Sequence, residues 1–182
     1  MLSAGIWVRR KTVNRYQQLD ALKLKLDSFL PLPLEVVGNL RADLVLRWTY
    51  VYRKTNVIIS GAEHVPPDAW RVQSDMESLI SWCQGEGANL HPVERAARIH
   101  SDFVKIHPFV DGNGRTARLL MNLELMKSGF PPVVLPVKRR LQYYEALDKA
   151  HTNNDFEPFL QLITEIVMAG FEPYWHALGV TG

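Results

Sequence analysis

The chain alternates stretches in which apolar side chains recur every three or four positions with short breaks of proline and glycine. From Tyr16, residues Leu19, Leu22, Leu26, Phe29 and Leu30 keep that rhythm with Gln, Asp and Lys between them, which predicts an amphipathic helix. Pro31 and Pro33 end it, since proline lacks the N–H a helix interior needs. Val37, Leu40, Leu44 and Trp48 predict a second helix. Residues 50–59 are rich in β-branched and aromatic side chains and read as extended, up to a turn at Ser60 and Gly61. Helical spacing returns from Pro66 and Pro67 through Val72, Met76, Leu79, Ile80 and Cys83, and the Gly-Glu-Gly at 85–87 closes that run. Pro92 can start the next helix, where Val93, Ala96, Ala97, His100, Phe103 and Val104 lead to His107. Pro108, Gly112 and Gly114 then impose a loop. Leu119, Leu120, Leu123 and Met126 mark another helix, capped by Gly129 and closed by Pro131 and Pro132. Two further amphipathic segments, 139–151 and 155–169, complete a mainly α pattern.

Composition narrows the setting. The chain has 182 residues and 47% apolar content, enough for one sizeable core. Its 21 basic and 19 acidic residues are interspersed and leave a net charge of +2, so charge gives no case for a nucleic-acid partner or an anionic membrane. A single cysteine, Cys83, excludes a disulfide framework and reads as a small core hydrophobe. The opening MLSAGIWVRRK places its apolar run before its basic residues, the reverse of a secretory leader, and no stretch approaches the roughly 18 apolar residues of a membrane span. The expectation is a cytoplasmic protein.

Chemistry concentrates between two predicted helices, where residues 107–118 read HPFVDGNGRTAR. Gly112 and Gly114 let the backbone turn its N–H groups into a concavity, and the helix beginning there adds its positive dipole end, a combination that binds anions. Arg115 and Arg118 are three apart and share a helix face from which guanidinium groups can grip phosphate oxygens. Asp111 is a hard oxygen ligand beside this anion site and suits Mg²⁺ bridging phosphates. His107 can accept a hydroxyl proton as neutral imidazole. Taken singly, a histidine at a helix end, two Gly turns and two arginines are ordinary; together they describe metal-assisted phosphoryl or nucleotidyl transfer.

The whole string resembles the Fic signature, H-x-F-x-D/E-G-N-G-R-x-x-R, with every fixed position present. The resemblance continues in NLHPVERAARIHSDFVKIHPF before it, LLMNLELMKSGFPP and YYEALDKAHTNNDFEPFLQLI after it, and VYRKTNVIISGAEHVPP, which is similar to the family's flap hairpin. It implies a Fic fold, a helical bundle with a short β-hairpin flap next to the active-site loop. It also implies an N-terminal helical extension over 1–50, truncated relative to the family, a Fic domain over 51–170 and a C-terminal tail over 171–182. The implied activity is protein adenylylation, the transfer of AMP from Mg-ATP to a Ser, Thr or Tyr hydroxyl of a target protein. In that scheme His107 is the base, Asp111 holds Mg²⁺, Gly112, Asn113 and Gly114 form the anion hole, and Arg115 and Arg118 bind ATP phosphates. Phe109 packs. Asn56, Val57, Ile58 and Ile59 form the flap that docks the target by strand addition. Tyr144 and His151 fall where relatives line the nucleoside pocket, His151 standing where asparagine is frequent. Relatives that phosphorylate their targets carry lysine at the place of Gly114, so Gly114 implies AMP transfer.

Many related proteins carry an inhibitory helix with the pattern S/T-x-x-x-E-G/N, and no such string occurs in the 182 residues. The chain passes from LRWTY at 46–50 straight into the flap. By the resemblance, this implies either a deregulated enzyme, restrained if at all by a separate inhibitory partner, or exposed apolar surface that calls for a homodimer. The alternative to an enzyme is a catalytically impaired nucleotide-binding or regulatory protein on the same scaffold.

Overall fold

Helix α3, Pro92–Ile106, is the element on which the rest is assembled. The computed structural model describes residues 4–28 and 52–180, with side chains from Arg15 onward except Asp27. Its other helices are α1 (Ala4–Asp27), α2 (Val72–Gln84), α4 (Asn113–Lys127), α5 (Arg140–Thr152), α6 (Glu157–Ala169) and α7 (Glu172–Ala177). α3 touches α2, α4, α5 and α6. Its sequence is apolar on two sides, which is why it can do so. Val93, Ala96 and Ala97 enter a larger core with Leu19 and Leu26 of α1, Met121 and Leu125 of α4, and Phe159, Leu162 and Ile163 of α6. Ile99, Phe103 and Ile106 enter a smaller core with Val72, Met76 and Leu79 of α2 and Ala117 and Leu120 of α4. The loop between α3 and α4 hangs at the end of both.

Local signals place the helix ends. Pro92 sits in the first turn of α3, and His91 caps it through Nδ1, which accepts from the Val93 N–H at 3.2 Å. The same ring stacks on Tyr16 at 4.1 Å and donates from Nε2 to Asp20 at 3.1 Å, joining α1 to the start of α3. α4 ends in the expected manner: Gly129 adopts φ 76°, and the Phe130 N–H returns to the Leu125 carbonyl at 2.9 Å. Gly87 is required for packing, because a Cβ there would stand 2.9 Å from the Trp82 ring.

The structure departs from the sequence pattern in several places. α1 begins at Ala4 rather than near Tyr16, and it ends at Asp27. The helix predicted from Val37 to Trp48 lies outside the described residues. Pro66 and Pro67 do not start α2; Pro67 restricts Pro66 to extended backbone, and a 3-10 turn at Ala69–Arg71 leads into Val72. Residues 52–68 run without helix, with bends at 54–55 and a turn at 60–61, and no strand occurs among the described residues. The arms beside the turn, closed by the Ala62 N–H to the Ile59 carbonyl at 3.3 Å, do not form a ladder with each other. The stretch set apart as a tail, 171–182, carries α7, with Phe171 and Trp175 in the larger core. No helix among the described residues is long and apolar enough to cross a membrane.

Two consequences for stability can be measured. Phe159, fully buried at the centre of the larger core, should cost about 3–5 kcal/mol when replaced by alanine, whereas Arg71→Ala removes a surface pair and should cost under about 1 kcal/mol, as read by urea denaturation. Burial pushes the imidazoles of His100 and His151 down to about 4. The unfolded chain protonates histidine near pH 6.5, so below about that value it binds more protons than the native protein and stability falls until about pH 4. Urea midpoints at about pH 7 and pH 5 check this, with the lower midpoint expected at the lower pH.

Candidate active site

The loop from His107 to Gly112 is shaped from within. Asn113 is buried, and its side chain reads the backbone of Phe109 twice: Oδ1 accepts from the Phe109 N–H at 2.9 Å and Nδ2 donates to the Phe109 carbonyl at 2.8 Å. The Phe109 ring is buried between Phe103 and Tyr52, at centroid distances of 5.7 and 6.2 Å, and pins the loop to the smaller core. Asn113 therefore folds the loop with its side chain and offers the concavity only its backbone. Gly112 stands at φ 88°, a conformation favouring glycine. The first bond inside α4 runs from the Thr116 N–H to the Gly112 carbonyl at 2.9 Å, so the N–H groups of Asn113, Gly114 and Arg115 point out of the helix start as anion donors.

His107 ends α3 in the left-handed region, with φ 51° and ψ 57°. Its N–H still closes the helix on the Phe103 carbonyl at 3.0 Å, and its Nδ1 faces the Val104 carbonyl at 3.4 Å. A carbonyl only accepts, so the proton sits on Nδ1 and Nε2 keeps a free lone pair. Burial holds the imidazole below its ordinary value of 6.5, opposed by the Val104 carbonyl and assisted by the charges of Arg53 and His64. At neutral pH the ring is an uncharged proton acceptor.

The two motif arginines have different partners. Arg115 is exposed and pairs with Asp111 at 3.0 Å, while the other Asp111 oxygen accepts from the Gly112 N–H at 2.6 Å. Arg118 is half-buried, beside Gly114, and its charge acts on the Tyr143 hydroxyl, opposing the burial that pushes that group up to about 12. That hydroxyl in turn meets Nε2 of the fully buried His100 at 2.8 Å. Burial keeps His100 neutral in this contact. No carboxylate pairs with Arg118 among the described residues. A cavity of about 460 Å³ opens beside Arg118, with Asn122, Arg140, Tyr143 and Tyr144 on its wall. A second, of about 490 Å³, lies between α2, α3 and residues 64–67, away from the motif loop.

Of the residues singled out in the sequence, His107, Asp111, Gly112, Asn113, Gly114, Arg115 and Arg118 come together at this loop, and Tyr144 joins Arg118 at the cavity. His151 does not line that cavity: it is buried two turns further along α5, where Nε2 meets the Ser101 hydroxyl at 3.1 Å and carbonyl at 3.0 Å. Asn56 uses its side chain locally, accepting from the Ala69 N–H at 2.8 Å and donating to Asp68 at 2.7 Å, and so caps the turn before α2. Val57 and Ile59 are half-buried and Ile58 is 86% exposed. The sequence pattern gave no sign of Arg53, Tyr143 or His100, whose importance rests on long-range hydrogen bonds.

Comparison with known proteins agrees with the motif. The sequence profile of the Fic/DOC family matches residues 31–125. The protein adenylyltransferase Fic of Drosophila grimshawi is 45% identical over 162 residues, an alignment covering 88% of this chain and 32% of that protein. The protein adenylyltransferase fic-1 of Caenorhabditis elegans is 38% identical over 157 residues, covering 86% and 30%. The chain thus spans about a third of the length of these curated relatives. Among solved structures, Fic-1 from C. elegans superposes with a TM-score of 0.63 at 36% identity over 72% of this chain and 38% of that one. A matched profile over half the chain, relatives at this identity and a complete motif on the same helical scaffold establish that the chain belongs to the Fic/DOC family.

Proposed function

We propose that the chain is a protein adenylyltransferase that moves AMP from ATP to a Ser, Thr or Tyr hydroxyl of a target protein. The observation that carries this reading is an uncharged imidazole acceptor, His107, on the same short loop as a helix start that presents backbone N–H groups and Arg118 to an anion. The names of the relatives support it.

In the proposed reaction the target hydroxyl oxygen bonds to the α-phosphorus of ATP, the bond from that phosphorus to the bridging oxygen breaks, and pyrophosphate leaves. Nε2 of His107 takes the hydroxyl proton. The N–H groups of α4 and the Arg118 guanidinium hold the phosphate oxygens as charge shifts toward the leaving group. Tyr144 and the cavity beside it receive the nucleoside; the cavity's volume of about 460 Å³ falls in the ordinary range for a ligand of that size. Asp111 offers one exposed carboxylate, and no group of three His, Cys, Asp or Glu side chains suited to a metal occurs among the described residues. One carboxylate fits a magnesium ion that arrives on the nucleotide, which would neutralise phosphate charge there.

Residues 56–59 serve as the docking edge. Their backbone N–H groups make no backbone bond among the described residues, so an extended target segment can pair with them, and the proposed flap hairpin is completed in that pairing. The Asn56 side chain anchors the edge to the start of α2.

His107→Ala should reduce labelling of protein by α-labelled ATP at least about 100-fold without lowering the melting temperature; labelling within threefold of wild type would overturn the assignment of the base. Because burial lowers the His107 pKa, the acid limb of kcat/KM should lie below the ordinary imidazole value of 6.5, as a rate profile over about pH 5–8 will show. Tyr143→Phe removes the hydroxyl that shares the cavity wall with Arg118 and should raise KM for ATP roughly tenfold, or ~1.4 kcal/mol, with a smaller change in kcat, measured by initial rates against ATP concentration.

A further inference from the structure

Arg53 is buried to 3% exposure, and it is the only lysine or arginine in the buried set among the described residues. Its guanidinium bonds no carboxylate. Nε donates to the His107 carbonyl at 2.9 Å, Nη1 to the Thr55 carbonyl at 3.1 Å and Nη2 to the Pro67 carbonyl. Its backbone N–H donates to the Pro108 carbonyl at 2.9 Å. The nearby Asp68 carboxylate is felt through space but accepts instead from Asn56. One residue, through its side chain and its backbone N–H, therefore joins three segments: the start of the docking edge, the proline before α2, and the two residues at which α3 becomes the motif loop.

The choice of acceptors is informative. His107 stands in the left-handed region without being glycine, and glycine would take that conformation more cheaply. It has to be histidine if it is the base. Arg53 bonds the carbonyl of that residue from its side chain and the carbonyl of the next from its backbone, so both peptide groups after His107 Cα are held in orientation. Thr55 and Pro67, bonded by the far end of the same planar fork, flank residues 56–59.

We infer that Arg53 is a positioning residue, which fixes residues 56–59 against the left-handed turn of His107 so that a hydroxyl docked on that edge meets Nε2. This rests on the proposed transfer reaction. It separates Arg53 from nucleotide binding: the N–H groups of α4, Arg118 and Tyr144 belong to other segments and make no bond to it. The charged and titratable groups acting on the His107 ring are Arg53 and His64, and the Val104 carbonyl opposes them, so loss of Arg53 also removes one of the influences holding the imidazole uncharged.

The experiment uses the full 182-residue chain carrying Arg53→Met or Arg53→Lys. Calorimetry with ATP and magnesium, labelling of the chain and of a lysate by α-labelled ATP, the NMR titration of His107, and hydrogen exchange over 54–59 and 107–110 are compared. For Arg53→Met, ATP affinity should stay within threefold, labelling should fall roughly 100-fold, as for a displaced reacting group, exchange should rise in both segments, and the His107 pKa should move up. Arg53→Lys keeps the charge and loses the fork, and should recover part of the labelling and most of the pKa. The assignment is overturned if labelling and ATP affinity fall by the same factor, if labelling stays within threefold, or if neither variant folds, which would make Arg53 a folding residue only. Should the wild-type chain label nothing, the transfer reading fails by itself, and exchange and titration still decide whether Arg53 couples the two segments.

Discussion

His107 must satisfy two demands that conflict. As the end of α3 it takes a backbone conformation that costs a non-glycine residue roughly 1–2 kcal/mol, and as the proton acceptor of the proposed reaction it must keep a side chain that glycine lacks. The surrounding structure answers that conflict. Asn113 folds the loop back through the Phe109 backbone, Phe109 fills the smaller core, and Arg53 bonds the carbonyls on either side of Pro108's peptide link. These bonds also fix where the Val104 carbonyl lies relative to the ring, and with it the tautomer. Chemistry at Nε2 is thus a result of backbone geometry several bonds away.

Electrostatics around the loop follow a second logic. A cation intended for a phosphate loses much of its attraction if a protein carboxylate already neutralises it. Arg118 stands beside Tyr143, whose hydroxyl meets His100, and burial keeps that imidazole uncharged, so these neighbours do not cancel the charge of the guanidinium. The Tyr143 hydroxyl and His100 Nε2 satisfy each other, while His100 Nδ1 is buried without a partner among the described residues.

Much of this was legible in the sequence because it depends on short-range spacing. The apolar rhythm located α3 to α6 within a few residues and α2 apart from its late start, and the twelve residues of the motif carried their own chemistry. What escaped is non-local. Arg53 sits in an extended stretch whose composition suggests only strand, and its role depends on carbonyls 14 and 54 residues away. His100 read as one of the apolar-face positions of its helix, and only the structure shows that it meets Tyr143 across the bundle. The side chain of Asn56 has a local task that its place in the proposed docking edge did not suggest, since its short amide reaches the N–H of Ala69, thirteen residues on. α7 escaped because a six-residue helix is too short to show a period.

The pairing of Asp111 with Arg115 sets what the site can admit. Both groups are exposed and each is the other's counter-charge in the free protein. A lone anion drawn to Arg115 would strip Asp111 of its partner, and a lone divalent cation drawn to Asp111 would do the same to Arg115. Because both side chains face water, the pair is worth at most about 1 kcal/mol, and either group can turn to another partner at little cost, unlike the buried amide of Asn113 beside them.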